Sequence, residues 1–576
     1  MADITYKHFF IEGVSDIFSK IFRTKSVDKI LKASQAGSEH FVKSLNWVDL
    51  IFMGIGAIIG AGIFTTIGTA AAGDACRPGA GPSLMVSFLL TAIACGFSAM
   101  CYAEFSAMVP IAGSAYTYSY ATLGELVAWI IGWDLVVEYS IGCIAVSISW
   151  SGYFTALLAG FGLKMPLWLT IDPKTAHVRD AILNNLNSAS ISLHGLFSSF
   201  GLSGHASWMN HAQTEIANNL IIPGAPVLFG VPFIFNLPAV SIITLLTLLI
   251  IVGVKESARF NEVMVAIKLL VLSFFCIVGF FYINPANYVP FAPNGWGGIQ
   301  AGAAIVFLAF IGFDAVSTLA EETQNPARDL PIGIIGSLLV CTIIYIVVTA
   351  VFTGLIPYSS LSAKLASEKA EPLAMAFKHI AEVPGASELT KKIVQSSAGI
   401  VALGSLVAQT AVILVLQLGL PRIVFSMSRD GLLPSVFMKI HHRFKTPYVS
   451  TIILWVFMAF FAACMNLDEM VDLCNIGTLF AFMLVCLSII VLRFKDPNRP
   501  RPFKIPGGII IPILGCASCL YLTLGLPATS WIRFIVWLLI GAVFYFSYGI
   551  RKSKLNPENA DCEEIAADVP HDIDKF

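Results

Sequence analysis

Four glycines fall within nine positions of one apolar stretch, Gly54-Ile55-Gly56-Ala57-Ile58-Ile59-Gly60-Ala61-Gly62-Ile63-Phe64. Each glycine in a helix interior costs about 1 kcal/mol against alanine, so a helix through this stretch is weak. Two readings are open. Gly56 and Gly60 stand four apart and could let another helix approach closely. Alternatively the stretch unwinds, and its freed N–H and C=O groups line a cavity where they can hold an anion and a cation. A second apolar run carries a comparable interruption, Phe307-Leu308-Ala309-Phe310-Ile311-Gly312-Phe313-Asp314, with a glycine and an acid at mid-depth. Ionisable side chains deep in apolar runs are few, namely Asp134, Glu138, Lys268 and Asp314. Asp134 and Glu138 are one turn apart and share a helix face. Such groups bind and release protons, or else neutralise one another, as Lys268 would with a carboxylate. No histidine lies in any apolar run, which excludes a histidine proton relay.

The elements that position these residues follow from composition. The chain has 576 residues, of which 57% are hydrophobic and 12% charged, and its mean hydropathy is +0.80. Soluble domains carry about 25% charged residues, so most of this surface must face lipid. A net charge of −1 gives no field for nucleic acid. Most of the 12 cysteines fall inside apolar runs, where they act as small packing residues. Cys516 and Cys519 form a C-x-x-C that reads as packing rather than redox chemistry in that setting. Met1 to Asn46 is polar and Lys-rich, without the short apolar core of a signal peptide. There is no G-x-S-x-G, no H-E-x-x-H and no Gly-Lys dipeptide for a phosphate loop. The chain reads as no enzyme, with no cofactor and no metal site, and it has no nucleotide-binding domain to drive a pump.

A bilayer core about 30 Å thick needs about 20 apolar residues per helix. Such runs lie near 47–73, 83–108, 124–158, 237–254, 259–283, 299–319, 332–356, 396–421, 448–465, 470–492, 508–527 and 531–550. About twelve spans place both termini on one side. Lys and Arg concentrate in the N-terminal tail and in the loops after spans 8 and 10, including Arg422, Arg429, Lys439, Arg493, Arg499 and Arg501. Positive residues favour the cytoplasmic side, so both termini are expected there. Residues 164–232 and 357–395 would then lie outside. They are too long for plain connectors and read as caps over the outer mouth or as variable insertions. The two interruptions fall five spans apart, the spacing that points to a binding site at the midplane of an inverted repeat.

Those residues carry a resemblance over nearly the whole chain. The ordered set includes Arg23-Thr-Lys-Ser26, Gly54 to Phe64, Cys101-Tyr-Ala-Glu-Phe105, Pro110 to Tyr120, Gly132-Trp133 and Glu138-Tyr139. It continues with Ala266-Ile-Lys268, Phe310 to Ser317, Ala320-Glu-Glu322 and Ser428-Arg-Asp-Gly-Leu-Leu-Pro434. The chain resembles the amino acid–polyamine–organocation superfamily, specifically its cationic amino acid transporter branch and that branch's bacterial proton-coupled members. The resemblance implies an all-α polytopic membrane protein built as a 5+5 inverted-repeat core with broken spans 1 and 6. The first repeat would run over 47–283, the second over 284–492, with spans 11 and 12 at 493–550 and cytoplasmic tails at 1–46 and 551–576.

The resemblance also implies roles. The substrate carboxylate would sit on the N–H groups of Gly60, Ala61 and Gly62, in keeping with the positive end of a half-helix. The α-ammonium would lie on carbonyls of Ile58, Leu308 and Ile311. Lys268 stands where sodium-coupled relatives keep a cation, which implies a proton as coupling ion. Glu138 matches an acid near the substrate pocket, and Asp314 falls where some exchangers carry a proton-sensitive acid. Relatives often place an aromatic gate where this chain has Leu308, so Phe307 or Phe310 would serve instead, or the pocket would admit a bulkier side chain. Asp134 lies outside the family pattern. The implied function is proton-coupled uptake of cationic or neutral amino acids by alternating access, in the plasma or bacterial inner membrane. Substrate exchange, or a non-transporting receptor on the same scaffold, are the alternatives.

Overall fold

The computed structural model describes residues 23–25, 43, 45–74, 77–110, 114–173, 226–228, 231–252, 258–361, 371–382, 388–441 and 446–556. The greater part of the expected outer segment at 164–232, and of both tails, lies outside these. The helices are α1 Trp47–Ile58, α2 Ile67–Ala72, α3 Leu84–Met108, α4 Ser114–Thr122, α5 Glu125–Gly160, α6 Leu237–Val252, α7 Ala258–Phe280 and α8 Gly295–Val306. They continue as α9 Pro326–Leu355, α10 Pro372–Glu382, α11 Glu388–Arg429, α12 Tyr448–Cys464, α13 Leu467–Lys495, α14 Ile510–Thr523, α15 Ala528–Phe544 and α16 Ile550–Lys552. A two-residue antiparallel ladder, β1 Val227–Leu228 with β2 Val231–Pro232, is the exception to an all-helical reading.

Eight helices among the described residues are long and apolar enough to cross a bilayer, and the bent pair α1–α2 makes a ninth when taken as one span. α6, α12 and α14 are apolar but shorter. Large apolar side chains stand outward, with Leu270 69%, Leu339 62% and Val543 70% exposed. An apolar exterior on this scale needs lipid, and the chain is an integral membrane protein. Among the described residues, the buried ion pairs gather near helix ends and loops. Arg77 meets Asp74 and Asp472, each at 2.7 Å, and Arg533 meets Glu469 at 2.7 Å. Near the other end of the bundle Lys25 meets Asp430 at 2.9 Å. Glu104, fully buried, sits between Arg493 at 2.5 Å and Arg501 at 3.3 Å, and accepts from the Ile505 N–H at 2.9 Å.

Span 1 and span 6 lie side by side and run in opposite directions. The start of span 1 meets the end of span 6 through a short parallel bridge: the Leu45 N–H donates to the Glu322 carbonyl at 3.1 Å and the Gln324 N–H to the Leu45 carbonyl at 2.9 Å. At the opposite end, the Asn294 amide before α8 donates to the Gly79 carbonyl at 2.8 Å. α1 starts on a capping box, in which the Asn46 side chain accepts from the Asp49 N–H, and from that of Val48, while the Asp49 side chain accepts from the Asn46 N–H. That pairing satisfies orphan donors and fixes where the helix begins.

Boundaries differ from the sequence reading in places with clear causes. Span 8 extends to α11, much longer than 396–421, because its polar first turns pack against α10. α10 itself lies in the expected loop 357–395 and is buried, with Leu373, Ala374, Ala376 and Phe377 at 0–1% exposure. It packs on α11 and on the second half of span 1. α4 forms within the Pro110 to Tyr120 motif, between spans 2 and 3.

Candidate functional site

The weak glycine stretch is a break. α1 ends at Ile58, Ile59 is extended at φ −75° and ψ 101°, and a π-helical turn Gly62–Thr66 leads into α2 after a bend of 43°. The Ile59 N–H closes the first half by donating to Ile55 at 3.0 Å. Among the described residues the Gly60 N–H has no hydrogen-bond partner. The Gly62–Thr66 turn begins just beyond, and the N–H groups of a helix's first turn have no acceptor within the helix. Gly60, Ala61 and Gly62 thus form one donor-rich stretch.

Span 6 breaks beside it. α8 ends at Val306, a tight turn covers Phe307–Phe310, and Ile311 is extended at φ −62° and ψ 135°. Gly312 follows at φ 120°, a left-handed geometry that only glycine takes without strain. A 3₁₀ segment Asp314–Glu322 then completes the span. The two breaks touch. A Cβ on Gly62 would stand 2.2 Å from the Ala309 Cα, and one on Gly312 would stand 2.9 Å from the Ala57 carbonyl carbon. Each glycine is required because the other broken backbone occupies the space its side chain would need.

Several side chains hold the bared peptide groups. Lys268 on α7 is fully buried and donates through Nζ to the Gly56 carbonyl at 2.5 Å. In an unbroken helix that oxygen would serve the Gly60 N–H, so the ammonium caps the end of α1 where a helix presents negative charge. Among the described residues Lys268 makes no ion pair, and the alternative of a lysine–carboxylate pair does not hold. Asp314 accepts from the Gly312 N–H at 3.2 Å and from the Tyr139 hydroxyl at 3.2 Å, an acid at the start of the second half of span 6. Asn475 on α13 donates to the Ala304 carbonyl at 2.8 Å and lies 3.3 Å from that of Ile305, where α8 runs out. The Tyr345 hydroxyl on α9 lies 3.1 Å from the Ile58 carbonyl oxygen and 2.7 Å from that of Ala309. One proton serves one acceptor at a time, so this hydroxyl bridges both breaks while satisfying them alternately. Tyr153 on α5 donates to the Phe64 carbonyl at 2.5 Å.

The expected ammonium acceptors divide. The Ile58 carbonyl faces Tyr345, the Leu308 carbonyl already accepts from the Ile311 N–H at 3.3 Å, and Ile311 is half-buried among buried neighbours. Phe307 packs edge-on against Phe482 at 5.8 Å, as Phe313 packs on it at 4.9 Å. Phe310 belongs instead to a cluster with Phe88 and Tyr345. Both rings are buried; Phe307 is the one beside Phe482, and Phe310 lies against Phe88 and Tyr345. Glu138, at 2% exposure, stands near Asp314 and Thr478. Asp134, at 0%, stands against Gly477 of α13. Lys268 is not among the groups that face these acids.

Sequence reasoning missed Tyr345, Asn475 and Tyr153. Asn475 did leave a signal, as an amide within the apolar run of span 10. A tyrosine in an apolar run leaves none, because its ring reads as packing.

Residues 45–546 match the family described as amino acid permease. The branched-chain amino acid permease of Bacillus subtilis (strain 168) is 42% identical over 541 residues, covering 93% of this chain and 99% of that protein. The methylthioribose transporter of the same organism is 38% identical over 538 residues, covering 93% and 100%. The vacuolar cationic amino acid transporter 4 of Arabidopsis thaliana is 33% identical over 489 residues, covering 83% and 68%. With two helices broken side by side and such similarity along both chains, this protein is a transporter rather than an enzyme, and it belongs to the amino acid permease family, on the cationic amino acid transporter branch of the amino acid–polyamine–organocation superfamily.

Proposed function

We propose that this chain is a secondary active transporter that carries L-amino acids with cationic or neutral side chains together with a proton, by alternating access. The observation that carries the reading is the contact between the two breaks, Gly62 on Ala309 and Gly312 on Ala57. Unpaired N–H groups at the start of one half-helix suit a carboxylate. Carbonyls freed at the ends of the other half-helices suit an ammonium, and a zwitterion presents both charges at the spacing of one residue. The nine spans and three shorter apolar helices support twelve crossings, with spans 1–5 and 6–10 as inverted repeats. The antiparallel course of spans 1 and 6 agrees with that symmetry. The Lys and Arg bias places both termini in the cytoplasm, and the membrane is the plasma or bacterial inner membrane.

Lys268 is the coupling group in this reading, because its ammonium is tied to the end of α1 and would loosen that end on losing a proton. The substrate class stays broad, since the names of the relatives cover branched-chain amino acids, cationic amino acids and a sugar thioether. A second reading, exchange of one amino acid for another, is favoured by the 2.5 Å bond from Lys268 to Gly56. A lysine that never leaves that bond cannot couple to protons.

The test is uptake into proteoliposomes under an imposed pH gradient, with competition by each of the twenty amino acids. Accumulation that collapses with the gradient supports symport. Counterflow without gradient-driven accumulation supports exchange. Binding with neither would overturn transport and leave a receptor.

A further inference from the structure

Glu125 at the start of α5 accepts from the hydroxyls of Tyr120, Tyr545 and Ser553, but two acids further along the helix are not served in this way. Asp134 is fully buried, and neither of its carboxyl oxygens has a hydrogen-bond partner among the described residues. Glu138, one turn further along, is equally enclosed, and its Oε1 also has no partner. The Asp134 carboxyl fills a notch left by Gly477, where a Cβ would stand 2.7 Å from Oδ1. The ionisable groups around the pair are Glu138 and Tyr139 on α5, Cys474 on α13, Tyr102 on α3 and Asp314 in span 6. None of them is a cation. Lys268, the buried cation beside the breaks, is engaged with Gly56.

A buried carboxylate with neither donor nor counter-ion, as Asp134 is among the described residues, is strongly disfavoured by desolvation, and Glu138 one turn away, itself met by the Thr478 side chain on one side, adds repulsion. The pair therefore persists in this closed packing only with positive charge seated on it. Both acids are closed off from solvent, at 0% and 2% exposure, and Gly477 packs directly on the Asp134 carboxyl. A proton is the cation that fits.

The same turn of α13 reaches the breaks. Cys474 and Thr478 stand beside the two acids, and Asn475 between them holds the carbonyls at the end of α8. A shift of span 6 on substrate binding would move that turn, and with it the wall of the acidic notch. We infer that Asp134, paired with Glu138, is a proton-binding site of the transport cycle, separate from Lys268 and gated by the α5–α13 seam. This inference deepens the symport reading and rests on it.

The experiment compares wild type, Asp134→Asn and Gly477→Ala in proteoliposomes, following substrate counterflow and substrate-driven proton influx with an internal pH dye. Wild-type counterflow tests amino acid transport, and wild-type proton influx tests coupling; absence of either overturns the symport reading and this inference with it. With both present, Asp134→Asn is expected to retain counterflow while proton influx per substrate falls at least about tenfold. Infrared difference spectra of wild type should lose a protonated-carboxyl band on substrate release that is missing from Asp134→Asn. Wild-type proton influx in Asp134→Asn would overturn this inference alone. Gly477→Ala keeps both carboxyls and displaces one, so it covers the case in which Asp134→Asn does not fold. Its pH midpoint of uptake should shift, and an unchanged midpoint also counts against the inference.

Discussion

Gly62→Ala adds a single methyl group at the place where the two broken helices meet. The new Cβ would stand 2.2 Å from the Ala309 Cα, 2.5 Å from its Cβ and 2.6 Å from its backbone nitrogen. Carbon atoms in ordinary contact stand about 3.5–4.0 Å apart, so the breaks must separate by roughly 1.3 Å or more. Two of those three atoms are backbone, and no rotamer change relieves them. Overpacking of this kind costs about 1–3 kcal/mol of stability. The larger effect falls on the ligand, because displacing by about 1 Å groups that must act together costs on the order of 100-fold. We therefore expect substrate affinity and initial uptake rate to fall about 100-fold, measured by scintillation proximity binding and proteoliposome uptake. Two controls separate this from a general glycine effect. Gly60→Ala meets the side chain of Val412 at 2.9 Å, which can give way, so its loss should be smaller. Gly96→Ala meets nothing within 4 Å and should leave binding intact, with a gain of up to about 1 kcal/mol in helix stability. Wild-type affinity in Gly62→Ala would refute the argument that the two breaks form one site.

Lys268→Ala removes the cation that caps α1, and pH-driven accumulation should be abolished; wild-type pH coupling in this variant would remove Lys268 from the mechanism. Tyr345→Phe deletes the hydroxyl shared between Ile58 and Ala309. It should lower stability by about 1–3 kcal/mol by leaving one buried acceptor unserved, and thermal shift in detergent with uptake kinetics reads both effects. Glu104→Ala leaves the two arginines at the loop after α13 without their buried partner, a loss of about 3–5 kcal/mol. That variant should be poorly expressed and lower melting, while any purified fraction binds substrate normally.

The breaks were legible because glycine leaves a mark that composition does not explain. Four glycines in nine positions and a Gly two residues before an acid gave both interruptions to within a residue or two. The deep charges were equally plain, since any ionisable side chain in an apolar run stands out. Their partners were not. Nothing in the sequence says that Lys268 meets a carbonyl on span 1 rather than an acid, because that choice is made by the packing of α7 against α1. Tyr345 was invisible for a related reason: an aromatic ring in a membrane helix reads as packing until the contact of its hydroxyl is known. α10 escaped because an eleven-residue helix in a mixed segment has no span-length apolar signal. Its apolar face is defined only once α11 and the second half of span 1 are in place.

The signs of the charges at the two breaks follow from helix ends rather than from pairing with one another. A broken span has two interior termini, one presenting carbonyls and one presenting N–H groups. Lys268 lies at the carbonyl end of α1, and Asp314 lies at the N–H end of the second half of span 6. Each charge therefore has a structural reason to be buried, which offsets part of its desolvation, and each is tied to one of the two breaks proposed to bind substrate. Asp134 and Glu138 have no such terminus to serve. Glu138 has the Thr478 side chain for a partner, whereas among the described residues Asp134 has none, and its burial is the one left for a mobile cation to explain.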